Sequence, residues 1–359
     1  MSHFLLREIR EQPQTLRSLL NNRVGGLHVR GEMVQHLREM MVHGVTLLGC
    51  GSSFHAASIC APIIERLAGL PCSAEHSGDF AARGPIIDRR RVYIGVSHGS
   101  SDRLTADALE LVKQGGAEAF SVATVADPSA QEQAGPADVL IDCGVDRAVV
   151  AMKAFTTQVA TLQLIAAALT PRQISGDLNC LLRGLRELPD LVEQALAGLE
   201  PHPDSLERAC NLIVDAPYVV FAGLGPSAAV AAEGALKLSQ LAHLPCGAMR
   251  VSELSDSPQD VLGVHTAVVV VVPEDRNRHA VLVHMRELRA RGATIIAVHT
   301  QGDFVVQALA DVSLTVPRCP EFVAPVLAAL PLQFLAYHCA LLCAQPVDKR
   351  AYVSPALVA

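Results

Sequence analysis

Two segments of this chain combine glycine and serine as anion-holding turns do: Leu48-Gly-Cys-Gly-Ser-Ser-Phe-His55 and Gly95-Val-Ser-His-Gly-Ser-Ser-Asp102. Each follows a strand-like apolar run and leads towards a helix-like stretch. Such a turn leaves backbone N–H groups free at a helix N-terminus, where the helix dipole favours an anion and serine hydroxyls add donors. Helix capping asks for the same residue types, so one loop alone decides nothing. Two such loops on neighbouring strands point to a polar-ligand site, with candidate members Gly51, Ser52, Ser53, Ser97, His98, Ser100, Ser101 and Asp102. His98 adds a group that changes charge near neutral pH. Glu233 and Lys237, four apart on a helical stretch, form either a surface ion pair or part of a site. His265, His279, His284 and His299 share no metal-ligand spacing, and the ten cysteines include no C-x-x-C pair. Neither a metal nor another cofactor is therefore expected. His338 reads as a core histidine in an apolar helix. Cys339 and Cys343, one turn apart there, read as buried small hydrophobes.

The elements that must position these residues come in two copies. At an offset of 174, Gly49, Gly51 and Ser53 fall on Gly223, Gly225 and Ser227; Leu67, Pro71, Cys72 and Ala74 fall on Leu241, Pro245, Cys246 and Ala248. A repeat this long implies duplicated domains, since solenoid periods are shorter. In the first copy the segments 45–49, 91–97, 119–124 and 138–142 are strand-like, with helical stretches at 55–67 and 106–113. The second copy repeats the strands at 218–222, 267–272, 294–299 and 312–316. Strands alternating with helices of this length predict right-handed crossovers and parallel sheets covered on both faces, the doubly wound α/β class. In such sheets ligands bind beyond the carboxyl ends of the strands, where both Gly/Ser turns fall. A leading helix is expected over 7–21, a join between about 170 and 210, and a long apolar helix over 323–343. The expected division is a helical leader at 1–40, a first domain at 41–200 and a second at 201–359.

Composition narrows the function classes. The net charge of −7, with no Lys/Arg run, speaks against nucleic-acid binding. No uninterrupted apolar run is longer than Ala267 to Val272, a length that suits a buried strand and not a bilayer span. With no secretory signal pattern at the start and scattered cysteines, a cytoplasmic protein with reduced thiols is expected.

The chain resembles the isomerase half of glucosamine-fructose-6-phosphate synthase, a pair of sugar isomerase (SIS) domains, over nearly its whole length. Glu8-Ile-Arg-Glu-Gln-Pro13 is similar to that family's leading E-I-x-E-Q-P, and Cys50-Gly-Ser-Ser-Phe-His55 to its C-G-T-S-Y-H. Lys153-Ala-Phe-Thr-Thr-Gln158 and Glu233-Gly-Ala-Leu-Lys-Leu238 match family motifs unchanged. Pro331-Leu-Gln-Phe-Leu-Ala-Tyr-His338 and Val347-Asp-Lys349 resemble its closing motifs. The resemblance implies a sugar-phosphate site, adds Val149 and Ala151 to the substrate-binding candidates, and assigns Glu233 and Lys237 to the site. It also implies dimers whose sites are partly completed across the interface.

Departures from the family bear on chemistry. The family's proton-shuttling glutamate follows E-G-A-L-K-L as K-E, and here that pair is Ser239-Gln240. Its ring-opening histidine falls on Asp256, and its Schiff-base lysine falls on Pro355. In the phosphate loop Ser97 is kept, Gly99 replaces a serine and Asp102 replaces a threonine, placing a carboxylate where it would oppose a phosphate dianion unless turned away. Ala151 replaces another substrate-contacting serine. Residue 2 is Ser, so the amidotransferase half that the resemblance would place before the leader, with its cysteine nucleophile, is not expected. The expected protein is a sugar isomerase-like homodimer acting on a sugar phosphate or related derivative, by isomerisation or deglycation. Its candidate catalytic groups are Glu233, Lys237, His98 and Asp256. The competing reading is a non-catalytic SIS protein that binds or senses a sugar derivative.

Overall fold

The computed structural model describes residues 3–24, 39, 43–98, 102–125, 139–142, 150, 152–171, 176–200, 204–255 and 266–348. Helix α1 (Phe4–Val24) leads into the first domain. That domain runs β1 (Val45–Gly49), α2 (Ser52–Ala68), β2 (Cys72–His76), α3 (Ser77–Ala82), β3 (Val92–His98), α4 (Arg103–Gln114), β4 (Glu118–Val125), β5 (Val139–Asp142) and α5 (Lys153–Leu169). Helices α6 (Gly176–Leu199) and α7 (Asp204–Asp215) make the join. The second domain runs β6 (Tyr218–Gly223), α8 (Pro226–Ala242), β7 (Cys246–Arg250), α9 (Val251–Ser255) and β8 (Thr266–Val272). It continues through α10 (Arg278–Ala290), β9 (Thr294–Thr300), α11 (Phe304–Leu309), β10 (Val312–Val316) and, after a 3-10 turn at Glu321–Val323, α12 (Ala324–Leu342).

Both sheets are parallel and wound alike, β2-β1-β3-β4-β5 in the first and β7-β6-β8-β9-β10 in the second. The duplication is visible in the element bounds. Displaced by 174 residues, α2 falls on α8, β2 on β7 and β3 on β8, end for end. Strand β8, five of whose seven residues are valine, is buried along its whole length. Continuous β-branched sequence suits a strand covered on both faces.

Two expectations need correction. Each copy has five strands where four were read: Cys72–His76 and Cys246–Arg250, to which no strand was assigned, are the edge strands β2 and β7. Neither contains a β-branched residue, and each pairs on one side only, so neither apolar alternation nor propensity marks it. Second, the chain does hold a helix long and apolar enough to cross a bilayer, at Glu321–Leu342 with mean hydropathy 1.6. Most of it, 83%, is buried inside the protein, where α12 packs on α8, α7 and α6. It is a core helix, apolar all round because it has neighbours all round.

The two domains share one core. Ile59, Cys60, Ile63 and Ile64 of α2, Val230, Ala231 and Leu238 of α8, and Leu327, Leu330 and Phe334 of α12 belong to a single buried cluster. Burying a Leu, Ile or Phe side chain is worth about 1.5–3 kcal/mol, so the α2/α8 contact fixes the second domain firmly against the first.

Candidate active site

The site begins at the β1-to-α2 turn, where Gly51 adopts φ 52° and ψ −126°. That conformation is open to glycine and strained for other residues. Gly49 is required for a different reason. A Cβ there would lie 2.9 Å from the amide nitrogen of Phe54 and the carbonyl carbon of Ser53. The two glycines let α2 start directly against the end of its strand, which brings Ser52 and Ser53 to the switch point between β1 and β3.

Beneath that turn lies a buried polar floor. Gln158 of α5 donates from Nε2 to Ser53 Oγ (3.0 Å) and to the carbonyl oxygen of Ser97 (3.1 Å), with Thr124 Oγ1 at 3.4 Å. Ser53, Ser97, Thr124 and Gln158 are all buried. One amide thus ties together the ends of β1, β3 and β4. Asp102 is turned into the N-terminus of α4, where Oδ1 accepts the Thr105 N–H (3.1 Å) and Oδ2 accepts the Thr105 hydroxyl (2.7 Å). The carboxylate is therefore committed as a helix cap. Burial, followed by the Asp102 charge, pushes the Cys50 thiol upward, which disfavours the reactive thiolate.

Across the domain boundary α8 supplies the ionisable groups. Lys237 Nζ donates to Ser52 Oγ (2.9 Å) and lies 3.1 Å from Glu233 Oε1. The other carboxylate oxygen, Oε2, is 2.8 Å from His55 Nδ1. Burial alone would raise the Glu233 carboxyl, but Lys237 and His55 outweigh it and hold the group below its ordinary value. An ionised carboxylate only accepts, so Nδ1 of His55 carries the proton in this contact and, in the neutral ring, Nε2 is the acceptor. The result is a continuous chain: Ser52, Lys237, Glu233, His55. His55 also lines a cleft of about 440 Å3 between the domains, together with Ser58, Arg250 and Glu253.

The structure brings Gly51, Ser52, Ser53, Ser97, Glu233 and Lys237 together. The surface-pair reading of Glu233 and Lys237 does not hold, because the two residues are only 2% and 3% exposed. His98 stands exposed at the end of β3. Ser100, Ser101, Val149, Ala151 and Asp256 lie outside the described residues. His55 and Gln158 are members that the sequence reading did not single out. Both close a retained motif, Cys50–His55 and Lys153–Gln158, and that was the available signal. His338 is partly exposed on α12, its ring stacked on Phe334 and edge-on to Tyr337. Cys339 is buried and Cys343 partly so, both as free thiols.

The SIS domain family model matches residues 42–168 and 212–343, one match per sheet. The chain belongs to the SIS domain family. Glutamine--fructose-6-phosphate aminotransferase [isomerizing] of Chlorobaculum tepidum is 29% identical to this SIS chain over 358 residues. The match takes in 97% of the chain and 57% of that protein, so the chain spans little more than half its length. Among solved structures, the C-terminal domain of glucosamine-fructose-6-phosphate aminotransferase from Francisella tularensis superposes with a TM-score of 0.83 at 23% identity. That superposition covers 97% of the chain and 99% of that domain. Tagatose-6-phosphate ketose/aldose isomerase from Escherichia coli superposes with a TM-score of 0.77 at 20% identity, covering 98% and 96%. At these identities the two superpositions establish the shared double-SIS fold.

Proposed function

We propose that this SIS protein binds a phosphorylated ketose or aldose at the first domain's strand ends and moves a proton on it, in an isomerase-type reaction. The observation that carries this reading is the chain Ser52–Lys237–Glu233–His55, buried at Lys237 and Glu233 and partly exposed at its two ends, which joins the β1 turn to α8. Interconverting a ketose and an aldose requires a base to take a proton from a carbon beside the carbonyl and return it to the neighbouring carbon. Glu233, held ionised by the Lys237 ammonium and the hydrogen bond to His55, is a poor acceptor for that proton. Its part is to orient His55, whose Nε2 is then the base, in the base-plus-orienting-carboxylate pattern that recurs among enzymes. Lys237 and Ser52 supply donors for a sugar hydroxyl or the developing oxyanion. The relatives' names support a phosphorylated ketose as substrate. The protein is proposed to work as a homodimer; a single species of 38.1 kDa in light scattering would overturn that part.

The non-catalytic reading keeps one specific support. Gln240, at the position of the family's proton-shuttling glutamate, cannot accept a proton. One experiment separates the two readings. Fructose 6-phosphate and glucose 6-phosphate are incubated with the protein in D2O, and deuterium at C1 and C2 is read by NMR. Incorporation that disappears in His55→Gln supports catalysis. Calorimetric binding with no incorporation moves the protein to the binding class, and incorporation unaltered in His55→Gln removes His55 as the base.

A further inference from the structure

The duplication creates a second strand-end cleft that the first-domain site does not use. The 174-residue displacement takes Gly51 to Gly225, Ser53 to Ser227 and Gln240 back to Arg66. Helices α2 and α8 cross so that the start of each faces the later turns of the other. Ser52 meets Lys237 at one end, and Pro226 shares a cleft with Ile63 and Arg66 at the other. The second cleft thus sits at the β6/β8 switch point, as the first site sits at β1/β3. The repeat partners of Glu233 and Lys237 are Ile59 and Ile63, both buried and apolar, so the ionisable chain has no counterpart here. This cleft is built to bind without that chemistry.

Its volume is about 90 Å3, several times the roughly 10–15 Å3 that one water needs. Ser227 points to an occupant. The residue is 3% exposed, its hydroxyl makes no hydrogen bond among the described residues, and its exposed part opens on the cleft it lines. A hydroxyl that has no partner among these residues and opens on a cleft is available to pair with a ligand that enters it. Gly225, at φ 60° and ψ −133°, keeps the turn in the glycine-only conformation seen at Gly51. The charges define the ligand class. Arg66 donates from Nε and Nη2 to Asp177 and from Nη1 to Glu321, and Arg276 donates to Glu321 at 2.9 Å. Both guanidinium groups are already met by carboxylates, and Asp275 adds another negative charge, so a phosphate dianion is disfavoured. What remains is a mixture of donors and acceptors, with Asn277 and Ser227, against the apolar faces of Pro273, Pro325 and Phe322. Alternating polar groups beside apolar walls suit an uncharged polyhydroxy compound, whose C–H faces pack while its hydroxyls pair.

We propose that the β6/β8 cleft is a second ligand site, for an uncharged sugar or polyol, distinct from the phosphosugar site at β1/β3. The proposal stands whether or not the first site is catalytic. The test uses the full chain, D-sorbitol and D-fructose as probes, and saturation-transfer NMR with calorimetric titration. Ser227→Val and Asn277→Leu are each expected to weaken binding about tenfold, the loss of one hydrogen bond to a buried partner. The double variant Ser52→Ala/Ser53→Ala is expected to bind both probes as the wild type does. Should Ser227→Val fail to fold, Asn277→Leu on the surface turn decides alone. Unchanged affinity in Asn277→Leu overturns the proposal. So does loss of binding in the Ser52/Ser53 variant, or no binding of either probe by the folded wild type up to about 100 mM.

Discussion

His55 Nδ1 and Glu233 Oε2 lie 2.8 Å apart, although 178 residues separate them and each belongs to a different SIS domain. The contact makes the domain interface part of the site. Glu233 accepts from His55 on one oxygen and faces Lys237 at 3.1 Å on the other, so a single carboxylate stands between two potential cations. Desolvating such a group is tolerable only while both partners stay in place.

Glu233→Gln therefore tests the fold as well as the chemistry. The substitution keeps the shape and removes the charge, leaving the Lys237 ammonium buried with only the Ser52 hydroxyl and a neutral amide. Breaking a buried pair in this way costs about 3–5 kcal/mol. The expected outcome is a fall in thermal midpoint of roughly 10 °C, given about 2–4 °C per kcal/mol for a domain this large. A shift of only one or two degrees would show that water reaches the pair and that it is not desolvated as the geometry implies.

The same carboxylate should leave a signature in acid. Its folded-state value lies below the ordinary 4.5, so its contribution to stability is complete above about 4.5 and is lost as pH falls through the depressed value. Denaturant unfolding of the wild type and of Glu233→Gln, compared between about pH 6 and 3, should give curves that converge at low pH. A constant gap across that range would mean that Glu233 does not titrate differently in the two states.

How much of this was legible beforehand depended on where the signal lay. The 174-residue repeat survives in Gly49, Gly51 and Ser53 against Gly223, Gly225 and Ser227, because backbone geometry at each turn admits little else; it therefore exposed the duplicated fold. The edge strands β2 and β7 left no comparable trace, since Cys72–His76 and Cys246–Arg250 carry no β-branched residue and are only partly covered. The site was legible as loops and not as a network. Glu233 and Lys237 show their spacing in the sequence, but only the crossing of α2 over α8 reveals that Ser52 and His55 are what they meet. Asp102 looked like a charge facing a ligand because nothing in one dimension shows that Thr105 would take both its oxygens.

Gly51→Ala gives a narrower test of the turn. Its Cβ would find ordinary space, with Leu236 Cδ2 the nearest atom at 3.8 Å, so any cost comes from the backbone. A non-glycine residue at φ 52° and ψ −126° is expected to cost about 1–3 kcal/mol. Fructose 6-phosphate affinity should fall along with stability as the turn relaxes and displaces Ser52 and Ser53. Equal stability of variant and wild type in urea titration would show that the turn adapts freely.

Gln158→Leu removes the amide that ties Ser53 to the Ser97 carbonyl while keeping nearly the same volume. The serine hydroxyl and the carbonyl then lose a buried donor, at about 1–3 kcal/mol for each group left unpaired. Weaker phosphosugar binding is expected with little change in overall fold, because the lost contacts join strand ends and not core layers. Calorimetry with fructose 6-phosphate reads the change directly. If affinity holds while the chain is destabilised, Gln158 is purely a structural tie.

The last expectation concerns amination. With fructose 6-phosphate and ammonium, no glucosamine 6-phosphate should form, and the reason lies in α8. Gln240 is exposed one turn beyond Lys237, at the position where the resemblance puts a proton-shuttling glutamate, and an amide has no lone pair basic enough for that work. Carbon–nitrogen exchange at the ketose needs a proton delivered to C2 after the amine adds, and the proposed base, His55, is held by Glu233, two turns before Gln240 on α8. Gln240→Glu restores the carboxylate without disturbing any buried contact, so it should raise deuterium exchange at C1 of fructose 6-phosphate while leaving stability unchanged. Wild-type amination on the order of 1 s⁻¹, low in the usual enzyme range, would show that a different group carries the proton and that Gln240 marks no loss.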